Sequence, residues 1–399
     1  MSTFSAFRYR NYRLFFFGQL ISVVGTWMQS VAQSWLVYEL TNSRLLLGVI
    51  GALTQLPSLF FSVFGGALVD RLPKRKIIIF TQATAMTLAF VLAALVHWHV
   101  VQVWHIAAIA LCSGFVMAID IPARQSFVVE MVGKEDLLNA IALNSSCFNL
   151  ARVLGPSVAG LLIVVGMDWC FFLNGISFIA VIVGLLLMHL PEWTRPEVTD
   201  NIVARVREGF VYVRGRPDIM ITLGLLACMA VFGFSYQVLM PVFARDILQV
   251  GPKGMGFLAS ANGIGAFAAA LLIASRKRPT RKLQFGTALV FAAAVYGFSL
   301  SQSFHVSLAL LMIAGGCSVA FIATCNTMLQ LSVPDEIRGR VMGLYSLSFI
   351  GMGPAGSLLS GTLAHAWGAP WAVCIGAVAS ATGAIGLGLW LVVRRKKAA

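Results

Sequence analysis

The chain has 399 residues, of which 59% are hydrophobic and only 11% are charged. A soluble globular domain carries about 25% charged residues, so this composition excludes a soluble protein and predicts a polytopic membrane protein. The net charge of +14 does not indicate a nucleic-acid partner, because most of the 29 Lys and Arg residues fall in the termini and in alternate connections between apolar segments.

The apolar segments are long enough for membrane-spanning helices, which need about 20 apolar residues each. We predict an all-α polytopic membrane protein whose twelve transmembrane helices form two pseudo-symmetric six-helix bundles. The predicted spans are 13–38, 45–69, 77–97, 103–122, 139–165, 169–189, 219–243, 254–275, 283–301, 305–330, 340–366 and 370–393.

The basic residues predict the topology. Because Lys and Arg cluster in the termini and the even-numbered connections, the positive-inside rule places both termini in the cytoplasm. There the clusters are expected to meet anionic lipid headgroups. Arg8, Arg10 and Arg13 precede an apolar stretch that is too long for a signal-peptide core, and no cleavage site of small residues follows. We therefore expect the first helix to be retained.

The longest polar stretch between spans divides the chain into two halves. We predict an N-terminal six-helix bundle over 1–190, a cytoplasmic linker over 191–218 and a C-terminal six-helix bundle over 219–399. Within the linker, apolar residues recur at helical spacing after Asp200, which can serve as an N-cap. This pattern predicts an amphipathic helix on the membrane surface. Its apolar stripe consists of Ile202, Val206, Phe210 and Val213.

The two halves repeat each other in sequence. Val132 and Val333 are 201 positions apart, and Gly160 and Gly361 keep the same offset. Six helices return the chain to the side on which it started, so the repeats are expected to be parallel and related by an axis along the membrane normal. A binding site is expected between such repeats.

The connection after the second span begins at Gly66 and reads G-A-L-V-D-R-L-P-K-R-K. It resembles the loop between helices 2 and 3 of the major facilitator superfamily, G-x-x-x-D-R-x-G-R-K/R. The resemblance implies that Gly66, Asp70, Arg71 and Arg75 belong to a latch between the halves, with Asp70 at the positive end of the eleventh helix. Pro73 replaces the turn glycine of the family and cannot adopt a positive φ. The alternative is a basic loop that serves only topology.

Arg152 is a cation inside an apolar span. A charge at membrane depth costs from roughly 2.5 to more than 10 kcal/mol unless it faces the bundle interior or a partner, so we expect Arg152 to lie in the interior. The surrounding sequence ARVLGPSVAG, over 151–160, resembles the antiporter motif of the superfamily's fifth helix, G-x-x-x-G-P-x-x-G-G. Gly155 permits close helix contact, and Pro156 permits a kink. Helix packing alone explains the presence of these residues as well as an antiporter role does.

Nearly the whole chain resembles one branch of the superfamily, the drug/proton antiporters that include the enterobactin exporter and macrolide efflux proteins. The resemblance rests on WMQ at 27–29, DIPARQ at 120–125, QVLMPVF at 237–243 and VPDEIRGRV at 333–341. It implies proton-coupled export of an amphipathic small molecule, siderophore or drug-like, by alternating access in the bacterial cytoplasmic (inner) membrane. The alternatives within transport are an importer and an uncoupled facilitator.

The sequence contains no pattern typical of an enzyme site. H-E-x-x-H, clustered metal ligands and G-x-x-x-x-G-K-[ST] are all missing, so we expect no catalysis, no metal and no cofactor, and a proton gradient as the energy source. A membrane enzyme on the same scaffold is the remaining alternative. The expected partners are a small-molecule substrate and the lipid bilayer, and we expect a monomer.

A cavity between the halves is expected to be lined by polar side chains of otherwise apolar spans, although an interhelical hydrogen bond explains each of them equally well. These residues are Gln29, Gln33, Gln55, Asn144, Asn149, Tyr236, Gln237, Asn262, Asn326 and Gln330.

Proton coupling requires a carboxylate that changes partner between states. Glu39 and Asp120 are the candidates within or at the edges of spans. We expect Asp120 to pair with Arg152 or with Arg75 in one state and to be released in the other. A fixed structural ion pair is the alternative.

Overall fold

A computed structural model describes residues 4–70, 72–133, 135–190, 202–274 and 279–398. The side chains of 62–70, 202–206, 274 and 395–398 lie outside the described part. Within the described part the regular structure is helical and contains no strand, and twelve helices are long and apolar enough to cross a membrane.

The helices are numbered in chain order, with the linker helix as α7. They are α1 (Arg10–Thr41), α2 (Arg44–Asp70), α3 (Lys74–His97), α4 (Val103–Val132), α5 (Leu137–Val165), α6 (Met167–Leu186), α7 (Ile202–Arg214), α8 (Pro217–Ile247), α9 (Gly251–Ala274), α10 (Arg281–Leu300), α11 (Phe304–Ser332), α12 (Asp335–Trp367) and α13 (Ala369–Ala398).

The spans α8 and α12 contain irregular turns. In α8, a wider π-type turn at Met229–Gly233 is followed by a tighter 3-10 segment at Phe234–Leu239, and α12 contains a π-type turn at Leu347–Gly351. Such turns inside helices are frequent at functional sites. Tyr236, one of the predicted cavity residues, lies in the irregular part of α8.

Helices α1–α6 and α8–α13 pack in the same order. In the first set, α1 packs on α5 and α6, α4 packs on α2 and α3, and α3 packs on α6. In the second set, α8 packs on α12 and α13, α11 packs on α9 and α10, and α10 packs on α13. This correspondence is the one expected when the two sets are copies of one structural unit.

Both ends of the chain lie at one end of the bundle, which we call the terminal face. There the backbone N–H of Ala6 donates to Asn139 Oδ1 at 3.0 Å, and Arg8 pairs with Asp136 at 2.7 Å. A hydrogen bond from Ser5 holds the pKa of Asp136 below its ordinary value. The other end of the bundle, where α1 turns into α2 and α8 into α9, is called the opposite face.

The linker forms a helix, as its apolar stripe predicts. Helix α7 packs on α12 at the terminal face, where Glu208 pairs with Arg340 at 2.6 Å. Val213 is buried and Phe210 is exposed, so of these two stripe residues Val213 is the one that packs against the protein. The side chains of Ile202 and Val206, and the whole of Asp200, lie outside the described residues.

Direct contact between helix backbones holds α9 against α11. A Cβ atom on Gly265 would overlap the carbonyl oxygen of Met312, and a Cβ atom on Gly315 would overlap the carbonyl oxygen of Asn262. Small residues permit this approach, which supplies the van der Waals contact on which helix association in a bilayer depends.

We therefore expect Gly265→Ala to lower the melting temperature of the detergent-solubilised protein, because overpacking costs typically about 1–3 kcal/mol. Gly286→Ala is the matched control, since a Cβ atom added there would meet no described atom within 4 Å apart from its own stretch of helix. Thermal unfolding of both variants followed by tryptophan fluorescence provides the comparison. An equal melting temperature for Gly265→Ala and wild type would contradict this packing.

Candidate functional site

The two halves meet along two pairs of helices, α5 with α9 and α2 with α12. A Cβ atom on Gly256 would lie 2.5 Å from the carbonyl oxygen of Pro156, and one on Gly361 would lie 2.8 Å from Gly48 Cα. We call these two contacts together the seam. The repeat relates the two helix pairs to each other. Helix α2 of the first half corresponds to α9 of the second, and α5 corresponds to α12. Gly155 lies outside the seam, since its Cα faces Trp27 and Val24 of α1.

Polar side chains connect the halves between α5 and the second bundle. Arg152 donates to Asn262 Oδ1 at 2.7 Å, and Asn262 Nδ2 donates to the hydroxyl oxygen of Tyr236 at 2.6 Å. The hydroxyl oxygens of Ser157 and Ser260 lie 2.7 Å apart. Three of the predicted residues, Arg152, Tyr236 and Asn262, thus form one hydrogen-bonded chain across the seam.

The charge of Arg152 is held by neutral groups. Its guanidinium carbon lies 5.7 Å from the centre of the Trp27 ring, within the range of a cation–π interaction. Trp27 in turn packs edge to face against Phe148, with 5.7 Å between ring centres. Among the described residues, no carboxylate lies within 4.0 Å of this guanidinium. Arg152 is partly exposed, whereas Asn262 and Tyr236 are buried.

The second helix pair of the seam has its own hydrogen bond. Gln55 of α2, another predicted cavity residue, donates to Ser357 Oγ of α12 at 3.1 Å. A Cβ atom on Gly353 would collide with the Gln55 side chain. The amide of Gln55 therefore fills the space that this glycine leaves.

A polar cluster joins the halves at the opposite face. The hydroxyl group of Tyr38 donates to Asp246, and Arg44 lies 3.9 Å from the same carboxylate. Arg44 also donates to the carbonyl oxygen of Ala364 at 3.4 Å, and Arg245 lies over the Tyr38 ring at 5.5 Å. These residues bind the ends of α1 and α2 to the ends of α8 and α12.

The seam opens toward the terminal face. The side of α5 that contacts α9 at Pro156 and Gly160 continues at helical spacing through Asn149, Ala142 and Leu138. Pro156 and Gly160 are buried, but Asn149 is partly exposed, Ala142 is exposed and Leu138 is 82% exposed. Between α5 and α9 the halves are thus in close contact near the opposite face, whereas the same side of α5 is exposed near the terminal face.

A buried ion pair lies within the first half. Asp120, which is 6% exposed, contacts Arg124 Nε at 2.5 Å and accepts hydrogen bonds from Thr81 at 2.5 Å and Gln82 at 3.2 Å. Arg124 also donates to Gln19 of α1. The pair therefore connects α1, α3 and α4.

The structure pairs Asp120 with Arg124 and not with Arg152 or Arg75, the two partners that the sequence suggested. In this conformation Arg152 is bonded at the seam, and Arg75 donates to the carbonyl oxygen of Leu186 at 2.9 Å. A cation at a helix C-terminus binds carbonyl groups that lack partners in the helix and interacts favourably with the helix dipole. The spacing of four residues between Asp120 and Arg124 is the sequence signal that identifies the observed pair.

The second half has no equivalent ion pair. At the repeat offset of 201 positions, Asp120 corresponds to Phe321 and Arg124 to Cys325. Gln284 of α10 is buried and donates to Cys325 Sγ at 3.2 Å. A polar contact is thus present in both halves, but the charged groups of the second half come from other positions: Gln284 accepts from Arg281 at 2.8 Å, and Arg281 pairs with Asp218 at 3.4 Å.

Polar atoms around Asp120 remain unsatisfied. Gln19 Nε2 and Gln82 Oε1 are buried and have no hydrogen-bond partner among the described residues. Buried polar atoms in proteins nearly always have a partner, often a water molecule. The surroundings of Asp120 therefore offer more hydrogen-bonding sites than the protein fills.

Several predicted cavity residues bond within their own half. Gln29 accepts from Asn174 at 2.7 Å, and Asn144 accepts from Tyr12 at 3.0 Å. Asn149 donates to the carbonyl oxygen of Ser145, one turn earlier in α5. These side chains join helices of the first bundle or bond locally.

Two of the remaining predicted residues bond to each other. Gln330 donates to Asn326 within α11 at 2.6 Å. Gln33 is partly buried on α1, whereas Gln237 and Glu39 are exposed. Glu39 lies at the opposite face.

The predicted latch falls largely outside the described residues. Gly66 and Asp70 belong to α2, of which Asp70 is the last residue, but their side chains and the whole of Arg71 are not described. Pro73 immediately precedes α3 with a φ of −61°. The chain therefore enters α3 with the negative φ that proline requires.

Comparison with known proteins gives relatives along almost the whole chain. A model of the transmembrane secretion effector family matches residues 1–398. The staphyloferrin A transporter of Staphylococcus aureus is 22% identical, over 89% of this chain and 90% of the relative. The multidrug efflux pump Tap of Mycolicibacterium fortuitum is 26% identical, over 89% of each chain. The enterobactin exporter EntS of Shigella boydii is 26% identical, over 88% of this chain and 85% of the relative.

Solved structures show the same fold. A D-xylose-proton symporter superimposes with a TM-score of 0.75 at 13% identity, covering 95% of this chain and 96% of the symporter. The nucleoside transporter NupG gives a TM-score of 0.71 at 14% identity, covering 95% of this chain and 98% of the NupG chain. The predicted fold class, an all-α major facilitator fold with twelve transmembrane helices, is confirmed.

The closed part of the seam can be tested by a disulfide bond. In a variant without the native cysteines, Ser157→Cys and Ser260→Cys place two thiols where hydroxyl oxygens lie 2.7 Å apart, a position compatible with disulfide geometry. We expect mild oxidation of the folded protein to protect both thiols from a maleimide reagent that is added after denaturation, until reductant is added. Each single variant is a control that should stay reactive. Free labelling of both thiols after oxidation of the double variant would contradict the closed seam.

Proposed function

Because the chain belongs to the transmembrane secretion effector family of the major facilitator superfamily, we propose that it exports an amphipathic small molecule by alternating access in exchange for protons. Its relatives are transporters, and the chain is a multi-pass membrane protein. We place it in the bacterial cytoplasmic membrane with both termini in the cytoplasm, because the positive-inside rule assigns the basic connections to that side.

The seam is the observation that carries this proposal. It is closely packed near the opposite face and exposed along α5 near the terminal face. With the terminal face in the cytoplasm, this arrangement supports a transporter that admits substrate from the cytoplasm. The same halves would expose the site outward if they separated at the opposite face and met at the terminal face. One chain supplies both halves, so the cycle requires no second subunit.

The names of the relatives support the direction and class of cargo. Two of them are named as an efflux pump and an exporter, and two carry the siderophores staphyloferrin A and enterobactin in their names. Siderophores and drugs are both amphipathic molecules with polar groups on an organic framework. We therefore propose a siderophore-like or drug-like cargo that moves outward.

We assign proton coupling to the ion pair of Asp120 and Arg124. Protonation would neutralise Asp120 and leave Arg124 partly buried without its countercharge, which is strongly unfavourable. Because Arg124 also bonds to Gln19, its movement would change the contact between α1 and α4. The unsatisfied polar atoms around Asp120 support access of water and protons to this site.

The proton gradient supplies enough free energy for this function, and the proposal requires no cofactor. One charge that crosses 100 mV releases about 2.3 kcal/mol. This free energy supports roughly 50-fold accumulation, at 1.4 kcal/mol for each factor of ten.

Replacement of Asp120 tests the assignment. In inverted membrane vesicles, we expect the wild type to accumulate at least one of ethidium, enterobactin and staphyloferrin A when respiration generates a proton gradient. Asp120→Asn should lower this accumulation about tenfold or more, because an amide cannot take up and release the proton. Exchange of labelled for unlabelled probe without a gradient should persist in the variant.

Glu130→Gln is the matched control, because Glu130 is a carboxylate of the same helix that pairs with Lys74 at 2.6 Å near the terminal face. This variant should keep gradient-driven accumulation. Full gradient dependence in Asp120→Asn would remove Asp120 from the mechanism. Gradient-driven movement of the probes in the opposite direction would contradict export.

A further inference from the structure

Arg152 has far more hydrogen-bonding capacity than its surroundings use. A guanidinium group has five N–H donors, and a single hydrogen bond, to Asn262 Oδ1, engages it among the described residues. Its other contact is the face of Trp27. A charge inside a membrane protein normally pairs with an opposite charge, and no carboxylate of the described part of the chain lies within ion-pair distance.

The position of Arg152 makes it accessible from the open side. On α5 its backbone carbonyl lies at a close contact with α9, since a Cβ atom on Gly263 would be 2.6 Å from it, and Phe148, one turn nearer the terminal face, is 51% exposed. Arg152 is itself partly exposed. It therefore lies at the closed end of the opening between the halves, where a molecule that entered from the terminal face would stop.

Aromatic side chains adjoin the cation. The guanidinium lies over the Trp27 ring, and Trp27 packs against Phe148, so an apolar surface borders a positive charge. Such a pair of neighbouring surfaces fits a molecule that carries an anionic group next to an aromatic or other flat apolar part.

We propose that Arg152 is a substrate-binding residue that selects organic anions, namely amphipathic molecules with a carboxylate group. The carboxylate accepts hydrogen bonds from the free donors of Arg152, and the apolar part of the molecule packs on Trp27 and Phe148. This inference rests on the proposed transport function and specifies the chemical class of its cargo.

Binding of an anion would also act on the seam. The carboxylate competes with Asn262 Oδ1 for the guanidinium, and a charged acceptor forms the stronger hydrogen bond. Loss of the bond from Arg152 would release Asn262 and Tyr236 of the second half from the first. The cargo would thus weaken a contact that keeps the opposite face closed.

Matched acids and amides test the proposal by equilibrium binding without a proton gradient. The probes are dansylglycine, 1-naphthylacetic acid and coumarin-3-carboxylic acid, each compared with its primary amide. The protein is the full chain in nanodiscs of phosphatidylcholine, which has no net negative charge and therefore does not compete for the cation. We expect at least one acid to bind about tenfold or more tightly than its amide, the factor expected for a charge-assisted hydrogen bond.

Variants of Arg152 identify the residue responsible. Arg152→Gln should reduce the ratio of acid to amide affinity to about one, and Arg152→Lys should retain part of the preference because it keeps the charge. Arg394→Gln is the matched control: Arg394 lies over the Trp390 ring at 4.6 Å near the end of α13, an Arg–Trp pair away from the seam. This control should keep the preference of the wild type.

The proposal is overturned if no acid is preferred by the wild type, or if Arg152→Gln keeps the preference. Should Arg152→Gln fail to fold, the affinity ratio of the wild type and the Arg152→Lys variant decide the question. The binding proposal and the proposed function can fail separately. A protein that binds acids through Arg152 but shows no gradient-driven accumulation would refute the proton-coupled export and leave the binding proposal intact.

Discussion

Close contact between helix backbones at the seam is the constraint on which the rest of this structure depends. Helices in a bilayer gain little hydrophobic free energy from mutual contact, because lipid tails are as apolar as their side chains, so association relies on packing and hydrogen bonds. The glycines of α2, α9 and α12 permit this packing without large side chains between the halves. An interface of this kind closes one end of the molecule, yet it can separate because each of its hydrogen bonds contributes only about 0.6 kcal/mol.

The distribution of charge follows the same logic. At the opposite face, Tyr38, Arg44 and Asp246 join the halves where water can replace their contacts, so breaking them costs little. In the interior, Asp120 has Arg124 as a countercharge, but Arg152 is bound only by neutral groups. A charged group without a countercharge is costly in the membrane, and in the proposed mechanism the cargo supplies that countercharge.

The sequence predicted the helices well because a span requires about 20 apolar residues, a signal that each segment carries alone. The predicted spans were shorter than the helices, as for the predicted span 13–38 and the observed helix Arg10–Thr41. The helices are longer because they continue through polar residues at the membrane interface. The irregular turns of α8 have no signal in the apolar pattern. Contacts between distant segments were also missed: Arg152 and Asn262 are 110 positions apart, and only the fold brings them together.

Distances between spin labels on the two halves test the central claim of alternating access most directly. Labels at Leu138 and Leu331 report on the terminal face, and labels at Val165 and Lys253 report on the opposite face; all four positions are exposed. As pH is varied, the account predicts two populations in which a short distance at one face accompanies a long distance at the other. Distances that stay fixed at both faces, or lengthen together, would contradict it.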